Sequence, residues 1–255
     1  TALLILPFFL FSAIAGQLAD KLDKARLVRA LKVIEVLVMG LATLGFHLGS
    51  LPLLFTSLFL MGTQSAFFGP LKYAILPQHL SPDELVGGNG LVEMGTFVAI
   101  LVGTLVGGLV IAVPAIGTLL LTGLLVAVAL GGWLVSRLIP DAPSSTPELS
   151  VDWNLARSTW RTVAIAKRNR PAFRAILGAS WFWFLGALLL AQLPLMATGC
   201  IGGDERTITI LLAIFSVGIG LGSVACERLT SGRIELGLIV PAGIAMGCFL
   251  VDLAF

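Results

Sequence analysis

Eight apolar runs of near-membrane length leave this chain few folds to adopt. They lie near residues 1–19, 27–49, 51–76, 87–111, 115–138, 172–198, 207–226 and 237–255. Each is close to the ~20 residues with which a helix crosses a hydrocarbon core of ~30 Å. The runs are continuous rather than alternating, which favours helices over the strands of an outer-membrane barrel. Mean hydropathy is +1.02, with 57% of residues hydrophobic and 12% charged. That balance excludes an ordinary soluble domain. The expected fold class is an all-α membrane protein.

Basic residues set the expected orientation. Lys21, Lys24, Arg26, Arg29 and Lys32 flank the first turn. Arg137, Arg157, Arg161, Lys167, Arg168, Arg170 and Arg174 lie in or beside the long central connection, and Arg228 and Arg233 follow the seventh run. If the spans alternate, all of these fall on one side, and the opposite turns contain only Arg206. An excess of Lys and Arg marks the cytoplasmic side. No basic leader precedes the first run, so no signal peptide is expected.

The first turn reads Gly16-Gln-Leu-Ala-Asp20-Lys21-Leu-Asp23-Lys24-Ala-Arg26. Its pattern returns as Glu227-Arg228-Leu-Thr-Ser-Gly-Arg233, an acid followed at once by a base, with another base six positions after the acid. Small residues precede both, Ala15 and Gly16 in one and Gly220 and Gly222 in the other. A repeated turn between membrane-length helices implies two similar halves. This turn resembles the signature between the second and third helices of major facilitator superfamily transporters. That resemblance implies a major facilitator fold, with Gly16, Asp20, Lys21, Arg26, Glu227, Arg228 and Arg233 as a cytoplasmic gate. In it, acids and bases pair with each other and with a neighbouring helix end when that side is shut. Lys24 stands one residue earlier than a strict copy of the signature would place a base. Matching the two copies predicts one helix before Thr1 and three beyond Phe255, so the chain reads as about eight of twelve helices.

Three segments are expected: an N-terminal helical half at 1–138, a cytoplasmic linker at 139–171, and the start of a second half at 172–255. Pro140-Asp-Ala-Pro143-Ser-Ser-Thr-Pro147 reads as extended. After it, Asp152 is the expected N-cap of a helix, with Trp153, Ala156, Trp160, Val163 and Ala164 recurring at helical spacing. Arg157, Arg161, Lys167 and Arg168 occupy much of the remainder. Two readings fit, a helix lying in the lipid interface and a solvated helical linker.

Ionisable residues inside spans are functional hypotheses by default. Lys72 and Glu93 each stand near a cytoplasmic boundary, roughly 7–9 Å inside it at ~1.5 Å per residue. They suit either a zwitterionic ligand or a satisfied pair joining two helices. Glu35 reads as interfacial. Gly95, Ala99, Gly103 and Gly107 form a small-residue stripe that permits close helix packing. Ser81-Pro82-Asp83-Glu84 reads as a capping box. Cys200, Cys226 and Cys248 lack ligand spacing and are read as packing residues. The sequence has no phosphate-cradling GxxxxGK[ST] loop and no HxxxxD acyltransferase motif. No enzyme activity, metal, cofactor or nucleic-acid partner is expected.

A narrower likeness rests on Gln64-Ser-Ala-Phe67-Phe68-Gly69-Pro70-Leu-Lys72-Tyr73-Ala-Ile-Leu-Pro77 and its continuation Asp83-Glu-Leu-Val-Gly-Gly-Asn89-Gly-Leu-Val-Glu93. These blocks are similar to the bacterial lysophospholipid transporters of the superfamily, especially the form fused to acyltransferase and acyl-ACP synthetase modules. The resemblance implies movement of lysophosphatidylethanolamine-like lipids from the outer to the inner leaflet of the cytoplasmic membrane, for reacylation by a fused or associated enzyme. For such a substrate, Lys72, Glu93, Asn89, Tyr73 and Gln64 form the expected head-group patch, and Phe67 and Phe68 guide the tail. The span at 172–198 has no base after Arg174, where some relatives carry an arginine. The helix that corresponds to the fourth span lacks the Gly-Pro pair of drug antiporters. Two rival readings are an exporter of drugs or sugars and a membrane anchor for attached enzymes.

Overall fold

In a computed structural model the chain is a set of antiparallel and parallel helices, described for residues 2–111, 113–230 and 235–252. The helices are α1 (Ala2–Lys21), α2 (Lys24–His47), α3 (Leu51–Ala74), α4 (Leu76–His79), α5 (Leu85–Ile111), α6 (Gly117–Ser136), α7 (Leu155–Arg168), α8 (Arg170–Gly199), α9 (Glu205–Thr230) and α10 (Ile239–Asp252). No strand occurs among the described residues.

Among the described residues, six stretches are long and apolar enough to cross a membrane: Ala2–Lys21, Leu51–His79, Leu85–Ile111, Gly117–Ser136, Arg170–Gly199 and Arg206–Thr230. They account for six of the eight expected spans. The other two differ for separate reasons. α2 matches α3 in length but carries Lys24, Arg26, Arg29, Lys32 and Glu35. α10 has 14 described residues, about 21 Å of helix.

Local chemistry sets the helix ends. Asp23 caps α2 by accepting from the Arg26 backbone N–H at 2.8 Å. Ser50 precedes α3, with Pro52 in its first turn, where a missing N–H costs nothing. The box before α5 closes as expected, because the Glu84 carboxylate accepts from the Ser81 N–H at 2.9 Å and from its hydroxyl at 2.8 Å.

Helix α1 runs parallel to α3 and packs along it, from Leu4 beside Gly62, through the stacked rings of Phe11 and Phe67, to Ala19 beside Leu71. Any side chain at Gly62 would strike the Leu4 carbonyl, so only glycine allows this approach. Helix α2 lies antiparallel to α3 and also contacts α6. Ala19, Val28, Leu31 and Leu71 form a buried cluster at one end of this group, with Leu27, Phe67, Phe68 and Ile139 packed on it.

The central connection is not a free tether. Ser145 N, Thr146 N and the Ser144 hydroxyl all donate to the Asp20 carbonyl, at 3.1, 2.9 and 3.0 Å. These bonds satisfy an open carbonyl at the C-terminal end of α1. Lys24 N donates to the Ala142 carbonyl, Arg29 Nη2 to that of Ile139, and Gln78 Nε2 to that of Pro143. Residues 139–146 thus strap the ends of α1, α2 and α4 together. Helix α7 then packs against α1, where Gln17 accepts from Asp152 N at 2.9 Å and donates to the buried Ser158 hydroxyl.

The N-cap of α7 is Asn154 rather than the expected Asp152. Asn154 Oδ1 accepts from Arg157 N at 2.9 Å. The Asp152 carboxylate is already occupied by the Arg157 guanidinium at 2.8 and 3.0 Å and by Asn154 N. Trp153 accordingly lies outside the helix.

Candidate functional site

The head-group residues expected from the sequence divide into three places. Lys72 stands in the last turn of α3, where the carbonyl end of a helix favours a cation. Its ammonium donates to Thr96 Oγ1 on α5 at 3.2 Å and lies 4.8 Å from the centre of the Tyr73 ring. The Tyr73 hydroxyl donates to the Glu93 carboxylate, also on α5. Opposite charges therefore share one half-buried cluster across the α3–α5 gap. No ion pair joins Lys72 to Glu93 among the described residues. Each keeps unused hydrogen-bonding capacity, since an ammonium has three donors and a carboxylate about four lone-pair sites.

Gln64 does not join them. It is buried, and its amide donates to Glu35 Oε2 at 2.9 Å, beside the Lys32–Glu35 ion pair at 2.8 Å. Lys32 also lies over the Phe68 ring, 4.9 Å from its centre, and against Gly132 of α6. This polar knot ties α2, α3 and α6, so Glu35 is a bonded group inside the bundle rather than a free interfacial acid. Asn89 is exposed and turns back to donate to the Leu85 carbonyl of its own helix. Thr96 was missed by sequence reasoning. It lies three residues after Glu93, and that spacing puts both on one helix face.

Phe67 and Phe68 are half-buried against the α1–α3 cluster and do not form an open tail guide. The aromatic surface lies elsewhere. Phe97, next to Thr96, stacks on Trp183 of α8 with ring centres 6.2 Å apart, and Trp181, Phe182 and Phe184 continue it.

The two charged turns face the same end of the molecule. Asp20 is bonded to the strap, the strap to Gln78, and Leu80 lies against Gly88, one residue from the Glu227 contact at Gly87. Around the first turn the Asp20 carboxylate, Lys21 and Arg26 make no ion pair among the described residues. Gly16 leaves open space on α1. Lys24 is buried, with its ammonium 2.7 Å from the Ser145 hydroxyl.

The Glu227 carboxylate presses on the first turn of α5, where a methyl group at Gly87 would lie 2.5 Å from Oε1. Below it, Gly90 meets the Ser223 carbonyl and Gly220 meets Met94. This seam joins α5 to α9. The expected stripe does not, since a side-chain carbon at Gly95, Gly103 or Gly107 would meet nothing within 4 Å. Arg228 is exposed, and Arg233 lies outside the described residues.

A family model described as Major Facilitator Superfamily matches residues 1–255. The chain belongs to the Major Facilitator Superfamily. It is a multi-pass membrane protein of that superfamily. Among curated relatives, proteins named lysophospholipid transporter LplT from Salmonella newport (strain SL254), Salmonella heidelberg (strain SL476) and Salmonella typhimurium (strain LT2) are similar to it. Each is 31% identical over 242 residues, covering 94% of this major facilitator chain and 58% of the relative. The chain thus spans 58% of the length of these relatives. No solved structure matches it.

Proposed function

We propose that this chain is part of a transporter that moves lysophospholipids of the lysophosphatidylethanolamine kind from the outer to the inner leaflet of a bacterial cytoplasmic membrane, where they are reacylated. The observation that carries this reading is the Lys72–Thr96 and Tyr73–Glu93 cluster. It holds an ammonium and a carboxylate close together, unpaired with each other, between apolar helices. A zwitterionic head group is its chemical complement, with phosphate at Lys72 and amine at Glu93. The 31% identity to LplT proteins supports the same substrate class.

The tail of a single-chain lipid needs an apolar surface beside that patch. Exposed Trp181, Phe182, Trp183 and Phe184 of α8 supply one, with Trp183 stacked on buried Phe97 next to Thr96. Movement between leaflets proceeds by alternating access, with the charged turns as the cytoplasmic gate. Glu227 against the first turn of α5 holds this end shut, because a carboxylate is favoured near the positive end of a helix. Opening has to separate that contact and the Gly90–Ser223 seam below it.

The test is uptake of labelled lysophosphatidylethanolamine by spheroplasts expressing the intact protein. Lys72→Ala and Glu93→Ala should each slow uptake by about 10- to 100-fold, the ~1.5–3 kcal/mol carried by hydrogen bonds to charged groups. Wild-type rates in both variants would overturn the assignment. Competition by unlabelled lysolipid, but not by sugars or drugs, separates this function from the export of those compounds.

A further inference from the structure

Helix α7 carries Arg157, Arg161, Lys167 and Arg168 and no acid. Among the described residues, Arg157 alone of these forms an ion pair, with Asp152. Arg161, Lys167 and Arg168, with Arg170 and Arg174 at the start of α8, are exposed and make no ion pair among the described residues. Trp160 is 73% exposed on the same helix, and the Lys167 ammonium lies 5.9 Å from its ring centre. Ser158 on the opposite side is 1% exposed, held by Gln17 of α1. The helix therefore presents one face to the bundle and turns its cations and its tryptophan away.

Both ends of α7 adjoin helices long and apolar enough to cross a membrane. Its first turns dock on Gln17, within the last turns of the membrane-spanning α1. Its last residue is separated from the spanning helix α8 by Asn169 alone. A 14-residue helix, about 21 Å long, is thus tethered at its start to α1 and at its end to α8. Tryptophan is favoured at the head-group level, and unpaired bases there are attracted to anionic lipid.

From this geometry we infer that the outer face of α7 binds the head groups of anionic phospholipids in the surrounding membrane. Arg161, Lys167 and Arg168 contact phosphates, and Trp160 inserts between head groups. The partner is lipid because the face joins cations to an exposed apolar ring beside membrane-spanning helices, with apolar Val163 also exposed on that side. The inference is independent of the substrate proposed above.

The intact protein is placed in nanodiscs of phosphatidylcholine that contain either brominated phosphatidylglycerol or, at equal mole fraction, brominated phosphatidylcholine. Trp160 emission is read as the difference between wild type and Trp160→Phe. Brominated phosphatidylglycerol should quench Trp160 more strongly, and added salt should erase the difference. Each base removed in the series Arg161→Gln, Lys167→Gln and Arg168→Gln should lower the preference by up to about fivefold, from ~1 kcal/mol per base near an anionic leaflet. Equal quenching by the two lipids overturns the inference. Quenching by neither also does, and places the face against water or another protein. The salt titration uses the wild type, so the result does not depend on how a variant folds.

Discussion

The charged turn after α1 and the charged end of α9 share a pattern of an acid followed at once by a base, yet different neighbours hold them. The first is covered by the connection after α6, which occupies the Asp20 carbonyl and buries Lys24 against Ser145. Its carboxylate and outer bases stay free of ion pairs among the described residues. The second reaches from α9, beyond the connection, to α5, before it, and sets Glu227 on Gly87. A similar pattern therefore gives one turn anchored within its own group of helices and one helix end that bridges to another. The partner, rather than the motif, decides which role is played.

The largest expected effect breaks the bridge. Valine at Gly87 would force its branches into the Glu227 carboxylate, at the ~1–3 kcal/mol usual for overpacking. In a background without native cysteines, a disulfide between Gly90→Cys and Ser223→Cys should form readily, and adding Gly87→Val should sharply reduce its yield. An unchanged yield would mean that the second turn does not hold α5 to α9.

An effect of similar size sharpens the account of the first turn. Ser145→Ala strands the buried Lys24 ammonium and should destabilise by about 1–3 kcal/mol in thermal unfolding of the purified protein. Lys24→Met removes the charge together with its need for a partner, and should cost less or stabilise. Exposed Arg26→Gln should change stability by no more than about 0.5 kcal/mol. Equal losses for Ser145→Ala and Arg26→Gln would show that the strap does not anchor this turn.

The smallest effect is a pH dependence where the strap meets α7. The guanidinium of Arg157, helped by Asn154 N–H, holds the Asp152 carboxyl below its usual range. A depressed carboxylate contributes stability above its unfolded value, ~3.9 for Asp, and loses it as pH falls through the lower folded value. Protection factors of the amides at residues 152–158 should therefore be flat at neutral pH and fall only below about pH 4. Asp152→Asn should remove that acid step.

Most helices were legible because lipid demands continuous apolar runs, and such runs are visible without knowledge of neighbours. α2 showed its length but not its role, since Lys32 and Glu35 are satisfied inside the bundle by each other and by Gln64. Local pattern could not reveal that bond, which spans 29 positions from Glu35 to Gln64. The packing seam was misread for a similar reason. Gly95, Ala99, Gly103 and Gly107 have the right spacing, but Gly87 and Gly90 face α9. Small residues permit close approach on any side of a helix, and only the partner selects the side. Within the candidate site, Lys72, Tyr73 and Glu93 were found because charge in an apolar run is conspicuous. Asn89 and Gln64 were grouped with them by proximity in sequence, but Asn89 bonds back to its own helix and Gln64, two turns before Lys72, bonds Glu35.

The Tyr73 hydroxyl on Glu93 gives the carboxylate a neutral occupant of its own. On the function proposed above, an arriving amine would displace a phenol, and on its departure the phenol would return to the carboxylate. For a transporter of the proposed kind, binding then becomes a swap of donors, which weakens the grip and quickens the release. A carrier that must let go of its cargo on every cycle is served by such a swap more than by a tight trap.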